Sequence, residues 1–140
     1  MIVHETKKRV RYGETDRMGI LYYGNYSLYY EIGRVEMLRH LGLSYKEVED
    51  HSKILMPVVS VNMRYVRPAY YDEEVRIRTT LEKWPGSSIT FGTEILRMNG
   101  ELINKGEVKL VFVHASDFSR AEMPDVIREK IKPYFEEVDQ

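Results

Sequence analysis

Residues 12–26 read YGETDRMGILYYGNY, and the pattern of the chain changes within them. Before this stretch, Lys7–Tyr12 alternates basic residues with apolar ones, which predicts a short strand with one solvated face. Gly13–Gly19 holds two glycines and a Thr-Asp pair and predicts a turn. After it, Asn25–Leu41 carries apolar residues every three or four positions on one side, which predicts a long helix. The chain therefore opens with a strand, a turn and an apolar-faced helix.

The ends of the predicted helix are marked by residues with specific roles. Asn25 is a suitable N-cap and Gly42 a suitable residue just beyond the C-cap. Gly33, in the middle, lowers helix propensity but allows another backbone to approach closely, which favours packing against a sheet. Ser44-Tyr45-Lys46-Glu47 has the Ser-x-x-Glu form of a capping box and predicts a short second helix.

The apolar period changes from helical to alternating after His51. Four alternating runs predict strands, separated by turn-forming segments that include Asn99-Gly100, a strong hairpin signal. The runs span residues 59–65, 75–81, 89–95 and 106–113. Asp125–Glu137 predicts a terminal helix, interrupted or ended near Pro133. The order indicates an α+β fold with a five-stranded, mainly antiparallel sheet and one long helix on one face. Because the other face needs cover, we expect oligomerisation.

Composition limits the possible functions. The 140 residues suit a single domain, residues 1–140, with a real core. A net charge of −1 gives no support for nucleic-acid binding. The chain has no cysteine, which excludes thiolate nucleophiles and disulfides, and its histidines show no metal-binding spacing. No apolar run suggests membrane insertion or a signal peptide, so we expect a cytoplasmic protein.

Asp16 is the candidate catalytic residue. Composition and periodicity alone favour an ordinary turn aspartate that caps local amides. The alternative is functional, because a helix N-terminus seven residues later offers free N–H groups and a partial positive charge for an oxyanion. Asp16 would then attack a carbonyl carbon or deprotonate a water. Glu14 competes for this role but is better explained as a solvated charge at the strand end. The tyrosines at the helix start favour core or interface over a ligand pocket.

The sequence resembles a known family at these residues. The segment RVRYGETDRMGILYYGNYSLYYEIGRVEMLRHLG is similar to the hotdog-fold acyl-CoA thioesterases, in the 4-hydroxybenzoyl-CoA thioesterase and YbgC-like branch. Further matching stretches are MPVVSVNMRYVRPAYYDEEVRI, GSSITFGTEILRMNGELINKGEVKLVFV and the segment that begins near MPDVI. The Asp-x-x-Gly-x-x-Tyr-x-x-x-Tyr spacing is fairly specific to this family. The resemblance implies the hotdog fold, in which the sheet wraps the long helix.

The resemblance also assigns roles to residues. It places the catalytic carboxylate at Asp16 and the helix N-terminus that polarises the thioester carbonyl at Tyr23 and Gly24. Many YbgC-like members carry histidine where Tyr23 stands, whereas the 4-hydroxybenzoyl-CoA enzyme resembles this chain in having tyrosine. Further substrate-binding residues are implied at Val59 and Ser60, contributed by a neighbouring subunit. The loop Lys83–Ser88, with Lys83, Ser87 and Ser88, lies where relatives contact coenzyme A.

The resulting expectation is an acyl-CoA thioesterase that hydrolyses an acyl- or aroyl-CoA to the free acid and coenzyme A. It needs no metal or redox cofactor, and it self-associates as a dimer or tetramer. The alternative is a non-catalytic acyl-CoA-binding or scaffold hotdog protein. A hydroxyacyl-thioester dehydratase ranks lower, because the turn offers no histidine to pair with the acid.

Overall fold

A computed structural model of the chain describes residues 1–135. It contains three α-helices, α1 (Tyr26–His40), α2 (Tyr45–Ser52) and α3 (Asp125–Ile131). The strands are β1 (Ile2–Arg9), β2 (Ile54–Leu55), β3 (Val58–Tyr65), β4 (Glu74–Leu81), β5 (Ser88–Arg97), β6 (Leu102–Val111) and β7 (Val113–His114). Single turns of 3-10 helix occupy Tyr12–Glu14, Tyr23–Asn25 and Lys132–Tyr134. Among the helices of this part of the chain, none has the length and apolar character to cross a bilayer.

The five long strands form one antiparallel sheet in the order β1-β4-β5-β6-β3. The predicted five-stranded antiparallel sheet with one long helix is confirmed. The short strands β2 and β7 pair separately as a two-residue ribbon. The sequence did not predict this ribbon, since two residues are too few to show a period of two.

The core lies between one face of the sheet and α1. Inward-facing strand residues such as Ile77, Phe91 and Ile95 are fully buried, as are Tyr29 and Met37 on the helix. This alternation is the reason why the strands could be read from the sequence.

Gly33 lies where α1 crosses β4. A Cβ atom at this position would collide with Thr79 Oγ1 and would lie 2.7 Å from Ile77 Cγ2. The predicted close approach of the helix to a neighbouring strand is therefore confirmed.

The first strand differs from its prediction. It begins at Ile2 instead of Lys7, ends at Arg9, and pairs with β4 along its whole length, from Ile2 opposite Leu81 to Arg9 opposite Glu74. Its inward positions include His4 and Thr6, so the strand has no continuous apolar alternation that would have revealed its true start.

The helix ends confirm some of the predicted caps. Gly42 has φ +86° beyond the end of α1, and Ser44 Oγ accepts a hydrogen bond from Glu47 N (3.1 Å) at the start of α2. Asn25 occupies the N-cap position of α1, but the predicted side-chain cap is wrong: its Nδ2 donates to the Glu14 carbonyl instead (2.9 Å). The predicted terminal helix is confirmed as α3, which ends before Pro133. Residues 136 and 137 of that prediction lie outside the described residues.

The strand β3 forms one edge of the sheet and exposes an apolar surface. Val58, Val59 and Val61 are each about half exposed. The β3–β6 register shifts between Val58 and Ser60, at Val59. This edge matters for the site, because β3 begins at one end of the sheet and ends at the other.

Candidate active site at the start of the central helix

Asp16 lies in a small loop, residues 16–20, whose two ends are held next to each other. An antiparallel bridge between Thr15 and Leu21 closes the loop. Within it, Asp16 N donates to Ile20 O (3.0 Å), and Asp16 Oδ1 accepts a hydrogen bond from Met18 N (2.8 Å). One carboxylate oxygen thus stabilises the turn, and Asp16 forms no ion pair with any residue among 1–135. The structural and functional interpretations of Asp16 are therefore compatible.

The start of the helix faces the same site. Tyr23 and Gly24 lie in the 3-10 turn that leads into α1, and both are exposed. The N–H groups at a helix start have no hydrogen-bond acceptor within the helix, so they remain available to a ligand. The Tyr65 hydroxyl donates to the Tyr23 carbonyl (3.3 Å), which anchors the turn to the end of β3. A side chain at Gly24 would press on the Tyr22 ring, since a Cβ would lie 2.7 Å from Tyr22 Cε2.

A cleft of about 400 Å³ brings Asp16 and Tyr23 together. Its walls are mostly apolar and include Tyr26, Tyr65 and Val66. The Tyr65 ring packs edge-on against Tyr26, with centroids 5.1 Å apart, and against Tyr23 at 6.5 Å. Of the tyrosines that cluster at the helix start, Tyr23 and Tyr26 thus line this cleft.

A second groove, of about 630 Å³, opens on another side of Asp16. Tyr12, Arg17 and Tyr71 line it, and the rings of Tyr12 and Tyr71 meet edge-on at 5.7 Å. Asp16 lines both spaces, so a molecule bound in either one would lie beside this residue.

Tyr22 sits beside this carboxylate. Its hydrogen bond and electrostatic coupling with the Tyr23 hydroxyl, and to a lesser extent the Asp16 charge, raise the pKa of Tyr22 above its ordinary value. The two rings lie 4.8 Å apart. The Tyr22 phenol therefore keeps its proton at neutral pH and acts as a neutral hydrogen-bonding group.

Glu14 is not the solvated strand-end charge that the sequence predicted. Its side chain is only 16% exposed and forms an ion pair with Lys8 at 3.0 Å. Burial raises the pKa of the Glu14 carboxyl, but hydrogen bonds from Arg11 N, Tyr29 and Lys8 outweigh it and hold the pKa below its usual value. Strand alternation missed this residue because Glu14 lies beyond the strand, in the 3-10 turn.

The remaining predicted residues lie at the opposite end of the sheet. Val59 and Ser60 are near the start of β3, whereas Tyr65, at its other end, lines the cleft with Asp16. At the rise of a strand this separation is about 20 Å. The loop Lys83–Ser88 lies at that far end too, since Ser88 pairs with Val111 and Val58 with Leu110. A single chain therefore does not bring these residues to Asp16.

Lys83 and Ser88 do share a space with each other. They line a cleft of about 380 Å³ together with Trp84, Thr90 and Gly92. Ser87 accepts a hydrogen bond at its carbonyl from Arg120 (2.9 Å), which fixes the loop to the segment before α3. Within residues 1–135, no three histidine or carboxylate side chains are grouped as a metal ion would require.

Known proteins are similar to this chain over most of its length. Residues 10–131 match the thioesterase-like superfamily. The putative acyl-CoA thioesterase YneP of Bacillus subtilis is 36% identical over 118 residues, which cover 83% of this chain and 85% of the relative. The acyl-CoA thioester hydrolase YbgC of Escherichia coli is 30% identical over 124 residues, 89% of this chain and 92% of that protein.

A solved structure supports the same relationship. The DHNA-CoA thioesterase from Staphylococcus aureus superposes with a TM-score of 0.89 at 28% identity, covering 100% of this chain and 97% of that one. The sequence match, the five-stranded sheet and the long helix agree with one another. The chain therefore belongs to the thioesterase-like superfamily, as a hotdog-fold protein of its YbgC-like family.

Proposed function

We propose that this protein is an acyl-CoA thioesterase that hydrolyses an acyl- or aroyl-CoA to the free acid and coenzyme A. The observation that carries the proposal is the cleft in which the Asp16 carboxylate and the helix start at Tyr23 lie together. The relative with 36% identity is named a putative acyl-CoA thioesterase and the one with 30% identity an acyl-CoA thioester hydrolase, which supports it. As part of this proposal, the enzyme works in the cytoplasm and without a metal or redox cofactor.

The proposed chemistry uses two groups that line this cleft, the Asp16 side chain and the helix start at Tyr23. The thioester carbonyl oxygen accepts hydrogen bonds from the N–H groups of Tyr23 and Gly24, where the helix start stabilises the developing negative charge. Asp16 attacks the carbonyl carbon, or removes a proton from the water that does so. Either route ends with one water consumed, the carbon–sulfur bond broken, and the coenzyme A thiol and the acid released.

The apolar wall of the cleft suits the acyl part of such a substrate. Tyr26 and Tyr65 present packed ring edges there, beside Val66. Burying an acyl chain or an aromatic ring against these residues supplies binding energy at the rate of about 25 cal/mol per Å² of apolar surface. Tyr23 contributes through its backbone, so the absence of a histidine at this position leaves the oxyanion site intact.

We further propose that a second copy of the chain completes the site. Two β3 edges that pair antiparallel would set the start of one strand beside the end of the other. Val59 and Ser60 of one copy would then lie near Asp16 of its partner, and the Lys83–Ser88 loop would lie on the same side. The exposed valines of β3 support this arrangement, because a free apolar edge favours pairing with another chain.

The test is thiol release from short-chain, long-chain and aromatic acyl-CoAs, comparing the parent with Asp16→Asn. We expect the variant to fold and bind substrate normally while kcat falls by about 10²- to 10⁴-fold, the range of a lost catalytic base. Asp50→Asn, on the exposed face of α2, is the matched control and should behave as the parent. Equal turnover in parent and Asp16→Asn would overturn the role of Asp16. Binding of acyl-CoA without any thiol release by the parent would support the non-catalytic alternative.

A further inference from the structure

The contacts of Glu14 connect the Asp16 loop to the start of the central helix. Three groups from different segments converge on one oxygen of its side chain, and two more converge on its backbone carbonyl. We infer that Glu14 is a positioning residue, which sets the placement of the Asp16 carboxylate relative to the N–H groups of Tyr23 and Gly24. This inference rests on the proposed thioesterase function.

The side-chain contacts hold the turn to two packed elements. Glu14 Oε1 accepts hydrogen bonds from the Tyr29 hydroxyl (2.8 Å), from Arg11 N (2.9 Å) and from Lys8 Nζ (3.0 Å). Lys8 is on β1 and Tyr29 is fully buried on α1. Charge-assisted hydrogen bonds of this kind are shorter and stronger than neutral ones, so the turn has little freedom to shift.

The Tyr29 hydroxyl is a dependable donor to this carboxylate. Burial, together with the hydrogen bond to Glu14 and the negative charge of Glu14, raises the pKa of Tyr29 well above its ordinary value. The hydroxyl therefore keeps its proton throughout the pH range of an assay. Lys8 adds a second link to the helix, since its ammonium lies 5.1 Å from the centre of the Tyr29 ring.

The backbone of Glu14 holds the other side of the site. Its carbonyl accepts hydrogen bonds from Tyr22 N (3.0 Å) and from Asn25 Nδ2 (2.9 Å). Tyr22 immediately precedes Tyr23, and Asn25 immediately follows Gly24. The two residues assigned to the oxyanion site are thus flanked on both sides by groups bonded to Glu14.

Glu14 is also connected to the Asp16 loop through the residue that follows it in the chain. Thr15, the next residue after Glu14, forms the bridge to Leu21 that closes the Asp16 loop. If Glu14 shifted, the Thr15–Leu21 bridge and the start of α1 would change position relative to each other. Glu14 lines neither of the two spaces that share Asp16, so it acts through its neighbours and not by touching the substrate.

The test measures kcat and KM separately in Glu14→Gln and Tyr29→Phe, with rates expressed per folded molecule. Glutamine keeps the shape but removes the charge, and phenylalanine removes only the hydroxyl. We expect kcat to fall by about 10- to 100-fold in Glu14→Gln, the effect of a displaced catalytic group. KM should change by less than about 3-fold, because Glu14 does not contact the substrate and the groups that it positions act in the transition state. Tyr29→Phe should lower kcat by a smaller factor than Glu14→Gln does, and its KM should also change by less.

The matched control is Glu5→Gln, which removes a carboxylate from the exposed ion pairs with Arg76 and Arg78 on the outer face of the sheet. It should leave kcat and KM unchanged. Parent-like kcat in both Glu14→Gln and Tyr29→Phe, even with lowered stability, would overturn the inference. If Glu14→Gln does not fold, Tyr29→Phe decides the question by the same criterion.

Failure of the proposed function would look different. If the parent cleaves no acyl-CoA, amide hydrogen exchange replaces the kinetic measurement. The inference then predicts faster exchange of the loop amides, such as Asp16 N, and of Tyr22 N in Glu14→Gln, but not in Glu5→Gln. Unchanged protection of these amides would overturn the positioning role by itself.

Discussion

At Gly33, the helix α1 and the strand β4 come closer than a residue with a side chain would allow. The space that a Cβ would need is occupied by Thr79 and Ile77, both of which are fully buried. Close-packed interiors resist such additions, because neighbouring side chains can yield only by leaving their preferred rotamers. The absence of a side chain at Gly33 therefore allows α1 to pack this close to β4.

The corresponding prediction concerns Gly33→Ala. Alanine favours the helix by about 1 kcal/mol, but overpacking against two buried side chains costs about 2–3 kcal/mol, the upper part of its usual range, so we expect a net loss of about 1–2 kcal/mol in the free energy of unfolding. Urea denaturation measures this quantity. Gly86→Ala is the control, since a Cβ there meets nothing within 4 Å. A Gly33→Ala protein as stable as the parent would show that the helix moves away without cost.

Also at the residue scale, Asp16 illustrates why a single aspartate is hard to interpret. Its Oδ1 forms the turn contact with Met18 that sequence statistics favour, and its carboxylate also lines the cleft with Tyr23. Composition and periodicity do not distinguish a turn aspartate from a catalytic one, and only the family motif favoured the catalytic role. The distinction depends on what the fold places opposite it.

At the scale of elements, β1 and α1 meet through a histidine pair. The rings of His4 and His40 lie 5.0 Å apart, and His4 Nδ1 is buried without a hydrogen-bond partner among residues 1–135. Burial and the charge of His40 lower the pKa of His4, although Glu36 opposes them. The surroundings of His4 between the strand and the helix therefore favour its neutral form.

This arrangement predicts a pH dependence of stability. Because the pKa of His4 is lower in the folded than in the unfolded state, the unfolded chain binds more protons near and below pH 6.5. The contribution of neutral His4 to the free energy of unfolding is fully present above pH 6.5, and it is lost as the pH falls towards the pKa of His4 in the folded state. We expect urea denaturation to show a smaller loss of stability between about pH 7.5 and pH 5.5 for His4→Asn than for the parent.

The control for this prediction is His51→Asn, an exposed histidine in α2. It should keep the pH dependence of the parent. The pKa values of Glu5 and Glu14 are also lowered, but these carboxylates lose their contributions at more acidic pH, outside this window. An unchanged pH dependence in His4→Asn would contradict the assignment.

At the scale of the whole molecule, the residues assigned to the site are divided between the two ends of the sheet. Asp16, Tyr23 and Gly24 lie at one end, whereas the substrate residues implied by family resemblance lie at the other. The edge strand β3 connects the ends and carries exposed valines. A second copy is the simplest way to unite the two groups.

The prediction at this scale is that Val61→Lys prevents self-association and lowers turnover. Val61 is 46% exposed in the single chain, so a lysine there costs little in the isolated fold but leaves a charge unpaired in a β3–β3 contact. Light scattering after size-exclusion chromatography measures the mass, and thiol release measures the activity. Val126→Lys, on α3 and 38% exposed, is the control and should change neither. A variant that retains the mass of the parent would contradict this interface.

The sequence by itself determined the classes and order of the main elements. Alternation of period two identified β3 to β6, and spacings of three and four identified α1, because burial on one face imposes these periods locally. Gly42 and Ser44 marked helix ends for equally local reasons, namely a positive φ and a side-chain acceptor. Family resemblance added the hotdog fold and the expectation for Asp16.

Only the tertiary structure decided how distant residues meet. Contacts between segments that are apart in sequence decide four features that the sequence did not predict. These features are the start of β1, the ribbon of β2 and β7, the hydrogen bond from Asn25 to the Glu14 carbonyl, and the burial of Glu14. Glu14 looked solvated because its charge predicts exposure, yet Lys8 and Tyr29 compensate that charge once the strand and the helix have packed. Local periodicity records which face of an element is buried, whereas the partner of a polar group is fixed only when the elements come together.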